Sequence, residues 1–353
     1  MAEWQVDLFR YRVNFKPDHR GKTQLTLNAH GHPKELAARE GLLLLWQGTS
    51  GQVWVTEAAP LPGFSKESVE EAEQALTHWL ARPFPLAQET VSDLPNSVRF
   101  ALELFFYRQE NPVKRFLVPC QSCLLITESE ALKSAATAKH IKLKMGALSL
   151  KDDIDLFNQA CSETGAQIRV DPNRSWLPQH LQTFIKSVDR NRIEFIEEPL
   201  KGLAAYEELN DSDLPPIALD EHLLDTNIHT FLAATNLTRV LVLKPMLLGF
   251  NATLEWIQWA RAHQYQWLLS GAFELPVSLD VYRELAAIEG SELAQGLDTL
   301  RYLDLREDRT ALWWEGTKPG IQQAPIKALV QHCPAVTGAA QVSWLQQWTV
   351  DVV

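Results

Sequence analysis

Six polar residues stand at nearly even intervals in this 353-residue chain: Lys144, Asp171, Glu197, Asp220, Lys244 and Ser270. Subtracting successive numbers gives 27, 26, 23, 24 and 26 residues, about one strand–helix unit each time. Each sits at or near the end of a short apolar run, as in "HIKLK", "QIRVD", "FIEEP", "PIALD", "LVLKP" and "WLLSG". Asp171, Glu197 and Asp220 would then come from three consecutive strands. Three carboxylates in one pocket repel one another and raise one another's pKa. A divalent cation removes that conflict, and all-oxygen ligation suits Mg2+ or Mn2+ rather than zinc, which favours His and Cys.

The lysines add the second half of the chemistry. Lys142 and Lys144 are two apart on a strand, so both side chains take the same face. Two ammonium groups forced together disfavour each other's charge, and a lysine of lowered pKa can act as a base near neutral pH. Lys244 would enter the same volume from the opposite side. The pattern predicts a metal ion flanked by lysines. The ion would hold a substrate carboxylate and a lysine would take the acidic α-proton beside it. The ion and a second cation would stabilise the resulting enediolate.

Elements must bring these residues together. "QVDLFRYRVNF" (5–15) and "KTQLTLNAHG" (22–31) alternate apolar and polar residues, as half-buried strands do. "EGLLLLWQGTSGQVWVTEAAPLPGF" (40–64) reads as a hairpin about "GTSGQ". "SKESVEEAEQALTHWLA" (65–81) reads as a helix capped by Ser68, with Glu71 completing a capping box, and "NSVRFALELFFYRQE" (96–110) as a second helix.

After residue 115 short apolar runs alternate with amphipathic segments: 122–127, 140–146, 166–171, 193–198, 216–220, 239–245, 266–271 and 296–300. Such alternation predicts a parallel sheet, and roughly eight strands favour a closed (β/α)8 barrel. An open doubly wound sheet usually has a glycine-rich turn after its first strand, and "LLITESEALKS" has none. In a barrel, the C-terminal strand ends share one mouth.

The apolar fraction of 46% supports a sizeable core. A net charge of −11 without a long basic run argues against nucleic acid as a partner. No stretch reaches the ~18 apolar residues of a membrane span, and "MAEWQVDLFRYRV" lacks the apolar segment of a signal peptide, so the expected location is the cytoplasm. Four cysteines do not suggest a disulfide scaffold, and "CQSC" (120–123) reads as two thiols on a buried strand.

Taken together, "KLK" (142–144), "RVDPNRSW" (169–176), "FIEEP" (195–199), "IALDEHL" (217–223), "LVLKP" (241–245) and "TEAAPLPGFSKESVEEA" (56–72) resemble the motifs of the o-succinylbenzoate synthase family of the enolase superfamily. Each motif is weak alone, and the ordered set is specific. The resemblance implies a (β/α)7–8 barrel over 111–309 and an α+β capping domain over 1–110. The segment 310–353 would pack back on the cap, and a capping loop would fall within 14–34.

It further implies that Glu197 rather than Glu198, and Asp220 rather than Glu221, join Asp171 on Mg2+. Lys144 would be the base, Lys142 would tune it, and Lys244 would stabilise the enediolate. Arg169 and Asn173 would be pocket or supporting residues, and Ser270 and Gly271 would contact a succinyl arm. The implied reaction is dehydration of 2-succinyl-6-hydroxy-2,4-cyclohexadiene-1-carboxylate to 2-succinylbenzoate, in menaquinone biosynthesis. N-acylamino acid racemisation or dipeptide epimerisation is the rival with the same site. A non-catalytic barrel that binds a small carboxylate is the rival of another class. Pro172, His222 and "SGAFELP" (270–276) depart from the family pattern, in ways that bear on substrate fit.

Overall fold

The run Leu42–Leu45 explains the first layer. In the computed structural model it lies in strand β4 (Ala38–Gly48), where Leu42 and Leu44 take one face and Leu43 and Leu45 the other, all fully buried. Only a strand covered on both faces needs four consecutive leucines. β4 pairs antiparallel with β1 (Ala2–Asn14) and with β5 (Val53–Ala58). The structure describes residues 2–17, 25–29, 32–83, 85–111, 120–127, 129–209, 214–305 and 341–352. A short hairpin of β2 (Leu25–Ala29) and β3 (His32–Leu36) begins within the segment 14–34 expected to hold a capping loop; 18–24 and 30–31 of that segment lie outside the described residues.

Helices α1 (Val69–Leu80) and α2 (Asn96–Glu110) cover one face of this sheet. Trp4, Trp46 and Trp79 join Phe105 in that core, where the Trp46 and Phe105 rings stack at 3.7 Å. Ser68 caps α1 as expected: its side chain accepts from Glu71 N and the Glu71 carboxylate accepts from Ser68 N at 2.7 Å. The other face, with Phe9, Tyr11, Val13, Leu43 and Leu45, shares a continuous core with the second unit.

That unit is a parallel sheet of seven strands. They are β6 (Leu124–Ile126), β7 (His140–Lys144), β8 (Gln167–Asp171), β9 (Ile193–Glu197), β10 (Ile217–Leu219), β11 (Thr238–Leu243) and β12 (Gln266–Leu269), side by side in chain order. Helices α3 (Leu150–Glu163), α4 (Pro178–Ser187), α5 (Ile228–Ala234), α6 (Pro245–Leu248) and α7 (Phe250–Ala262) lie between strands, and α8 (Pro276–Ile288) follows β12. Phe195, Ala218, Val240, Val242 and Leu268 fill the interior, so the barrel is packed rather than hollow.

The eighth strand expected over 296–300 does not form. Two residues do its work: Gln295 bridges Ser122 on the β6 side, and Gly296 bridges Ser270 beyond β12. The Gln295 side chain also accepts from Leu269 N at 2.7 Å, replacing a ladder bond with a side-chain one. A Cβ at position 296 would lie 2.8 Å from the Ser270 hydroxyl, so a side chain here would displace Ser270.

A last strand, β13 (Gln341–Val352), returns to the first sheet and pairs antiparallel with β1, giving the order β13-β1-β4-β5. Cys123 is buried but precedes β6, and Cys120 is only half-buried, so the thiols do not share a buried strand. Among the described residues no helix is long and apolar enough to cross a membrane.

Candidate active site

Strand register decides which side chains reach the mouth. Lys142 and Lys144 alternate with buried Ile141 and Leu143, and β7 and β8 pair so that Lys144 lies beside Asp171 and Lys142 beside Arg169. Lys142 Nζ stands between two carboxylates, 2.7 Å from Asp171 Oδ2 and 2.7 Å from each oxygen of Glu197. Lys144 Nζ lies 2.6 Å from Asp171 Oδ2 and donates to Asn173 Oδ1 at 3.0 Å. Across the barrel, Lys244 forms an ion pair with Asp220 and lies 3.7 Å from Glu221 Oε1. The six residues at the strand ends thus converge, and Ser270, Gly271 and Asn173 line the same pocket as the three lysines.

The electrostatics separate the two neighbouring lysines. Burial pulls Lys142 down, but Asp171 and Glu197 more than reverse it, and its pKa is raised. Lys144 is lowered, by burial first and then by Lys142 and Lys244, against the pull of Asp171. Asp171 is held low because Lys142 and Lys144 outweigh its burial. Asp220 is pushed up by burial and by Glu221 beside it, more than Lys244 brings it down.

The adjacent glutamates at the end of β9 have different fates. Glu197 faces the mouth. Glu198 has a φ of 45°, which turns its carboxylate behind the strand. There Oε1 accepts from Asp220 N at 2.6 Å and His222 N at 3.0 Å, and Oε2 meets His222 Nδ1. Glu198 is therefore a brace that fixes the backbone carrying Asp220. His222 belongs to that brace, with Arg174 Nη2 3.1 Å from its Nε2, and so does not shape the pocket as its departure from the motif suggested.

Of the two places expected for Arg169, the pocket lining is the one it does not take. Its guanidinium turns toward the opposite end of the barrel, where it meets Glu194 at 2.8 Å, donates to the Ala294 carbonyl at 2.7 Å and covers the Phe195 ring at 4.7 Å. A buried arginine is held wherever its carboxylate is, and Glu194 lies below the mouth layer.

Other groups at the mouth lie off the strand-end rhythm. Glu221 is buried with neither carboxylate oxygen hydrogen-bonded. Leu61 and Phe64 bring the first unit into the pocket, with Lys244 Nζ 5.7 Å over the Phe64 ring. Asp298 and Thr299 enter from the stretch expected to be a strand. The repeated strand-end rhythm reveals none of these, because they come from loops.

Among the described residues no three acidic, histidine or cysteine side chains are closed into a metal cluster; lysine cations stand among them. The donor set nevertheless fits a hard cation. Asp171 and Glu197 already share the Lys142 ammonium group at 2.7 Å, Asp220 pairs with Lys244, and Glu221 leaves two buried oxygens without donors.

Comparison with known proteins agrees with this geometry. Residues 126–312 match the model described as "Enolase C-terminal domain-like", which defines the class: an enolase-type barrel beneath a separate N-terminal cap. Residues 4–107 match the model of the MenC N-terminal domain. The o-succinylbenzoate synthase of Pasteurella multocida (strain Pm70) is 30% identical over 306 residues, 81% of this chain and 88% of that protein. The o-succinylbenzoate synthase of Klebsiella pneumoniae (strain 342) is 30% identical, over 84% and 94% respectively. The chain belongs to the o-succinylbenzoate synthase family, lyases of menaquinone biosynthesis.

Two solved structures share the fold. The o-succinylbenzoate synthase of Thermosynechococcus elongatus BP-1, complexed with Mg in its active site, superposes with a TM-score of 0.65 at 21% identity, covering 85% of this chain and 94% of that one. A dipeptide epimerase of Enterococcus faecalis V583, complexed with Mg and a dipeptide, gives 0.72 at 17% identity, covering 86% and 92%.

Proposed function

We propose that the mouth of the barrel dehydrates 2-succinyl-6-hydroxy-2,4-cyclohexadiene-1-carboxylate to 2-succinylbenzoate, with Lys144 as base. The observation that carries this reading is the pair of lysines from β7 and β11, on opposite sides of a mouth that also gathers Asp171, Glu197 and Asp220. Asp171, Glu197 and Asp220 would hold Mg2+ (or Mn2+), which when bound supplies charge neutralisation and polarises the substrate carboxylate.

This chain's own groups do the rest. Lys142, between Asp171 and Glu197, keeps its proton and suppresses the charge of Lys144. Neutral Lys144 takes the α-proton through its amine. The electron pair left on the substrate spreads into its carboxylate, facing the Lys244 ammonium. The proton on Lys144 then goes to the departing hydroxyl, which leaves as water while the ring becomes aromatic. Asn173 Oδ1 holds Lys144 in place, and Ser270 with Gly271 would meet the succinyl arm on the side of the cap.

In the same reading the cap spans about 1–110 and the barrel about 111–309. The substrate is a free small carboxylate, nucleic acid is not a partner, and the location is the cytoplasm. Turnover assays separate the readings. Aromatisation of the cyclohexadiene supports dehydration, racemisation of N-succinyl amino acids or dipeptides alone supports the rival enzyme, and binding of 2-succinylbenzoate with no turnover supports a carboxylate-binding barrel.

A further inference from the structure

The pocket wall contains one residue in a conformation it would not choose. Phe273 has a φ of 64°, in the left-handed region that a side chain of its size avoids, yet it is buried and lines the pocket. Its ring meets Phe15 of the cap edge-on at 5.6 Å. Such backbone persists only where the flanks are held. Here both flanks are held by buried carboxylates.

On one side Glu274 Oε2 accepts from Ala272 N at 2.6 Å, while its Oε1 takes the Tyr282 hydroxyl at 3.0 Å. On the other, Glu57 reaches across from β5. Its Oε1 accepts from Leu275 N at 3.1 Å, and its Oε2 takes the Ser278 hydroxyl at 2.6 Å. Tyr11, on β1, closes the network by donating to Glu57. Gly41 makes room for it: a Cβ there would stand 2.5 Å from the Tyr11 hydroxyl oxygen. Both glutamates are wholly buried, and among the described residues no cation forms an ion pair with either. Burying charge against neutral donors is costly, and ordinary packing would be served by an apolar side chain. Burial lifts the Glu57 carboxyl to about 7.

We propose that Glu57 is a positioning residue supplied by the cap: with Glu274 it holds Phe273 in its left-handed conformation and thereby fixes the pocket wall beside Ser270 and Gly271. Glu57 itself lies outside the pocket lining, so it acts through the loop 271–275. The inference deepens the reading of the mouth as the substrate pocket, and rests on it. It gives the cap a second task besides covering: docking the cap shapes the barrel's own loop.

The test uses the full chain with Glu57→Ala, Glu57→Gln and Ser278→Ala, and two readouts. Hydrogen exchange with mass spectrometry follows the 271–276 loop, with 217–224 as control. The informative amide is Ala272, which Glu57 does not touch. Its exchange should accelerate at least ~tenfold in Glu57→Ala, less in Glu57→Gln, with the control unchanged. In steady-state kinetics, KM for the cyclohexadiene carboxylate should rise ~tenfold with kcat within about threefold.

A purely structural role predicts the opposite split, a smaller active fraction with kcat lowered and KM intact. That outcome, or unchanged exchange at Ala272, overturns the proposal. If Glu57→Ala does not fold, Ser278→Ala removes one anchor while Glu57 keeps its bonds from Leu275 N and the Tyr11 hydroxyl. It should speed the loop about threefold, and an unchanged loop again refutes. Failure of the wild-type chain to turn over this substrate would sink the functional reading, while the exchange result still decides the role of Glu57.

Discussion

The mouth and the cap–barrel junction both bury carboxylates, but they satisfy them differently. At the mouth Asp171 and Glu197 are met by lysine cations at 2.6–2.7 Å. At the junction Glu57 and Glu274 are met by hydroxyls and backbone N–H groups alone. Pairing with cations holds Asp171 low, whereas neutral donors leave Glu57 raised to about 7. One arrangement keeps charge ready to act on a ligand, and the other fixes geometry with carboxyls whose pKa burial has raised.

The largest effect should come from emptying the mouth of its acids. Asp171→Asn, Glu197→Gln or Asp220→Asn should each abolish Mg2+ binding by calorimetry and reduce turnover to background. Full activity in excess EDTA would break the metal assignment. Next, Lys144→Ala should cost at least ~10²-fold in kcat, the usual size of a general-base contribution. It should also stop exchange of the substrate α-proton with deuterium, read by NMR. Lys244→Arg keeps a cation but loses a titratable base, so dehydration should persist at a measurable level while any racemisation disappears.

At the junction the expected effect is on stability and its pH dependence. With Glu57 near 7 folded against 4.5 unfolded, the native state binds this proton more tightly than the unfolded chain. Its contribution is present below about 4.5 and lost as pH rises through about 7, on the order of 3 kcal/mol for a shift of this size. Glu57→Gln cannot ionise and should flatten that decline in urea titrations between pH 5 and pH 8. Parallel curves for variant and wild type would erase the contrast with the mouth. The smallest effect belongs to neither region: Ser68→Ala should cost ~1 kcal/mol, the worth of an N-cap, without altering kcat.

The same contrast governs what could be read from sequence. The strand-end rhythm of Lys144, Asp171, Glu197, Asp220, Lys244 and Ser270 was legible because a barrel converts one repeat length into one place. The apolar run at 42–45 likewise announced a strand. Arg169, expected only from the motif around Asp171, turns to Glu194 instead of lining the pocket, because the position of that carboxylate decides direction after register is set. The strand expected at 296–300 failed because Gln295 closes the ring partly through its side chain, which no apolar pattern encodes. Glu57 and Glu274 are 217 residues apart by subtraction, and nothing local links them. Their relation exists only once the two units pack.

The pairing of β1 with β13 carries a consequence for synthesis. A ribosome adding ~5–20 residues per second makes roughly 330 residues between the end of β1 and the start of β13, so the wait is tens of seconds. Through that interval β1 has β4 on one side and an open edge on the other, a template for pairing with another nascent chain. The barrel strands emerge meanwhile, so the sheet that begins the protein is the last to be sealed.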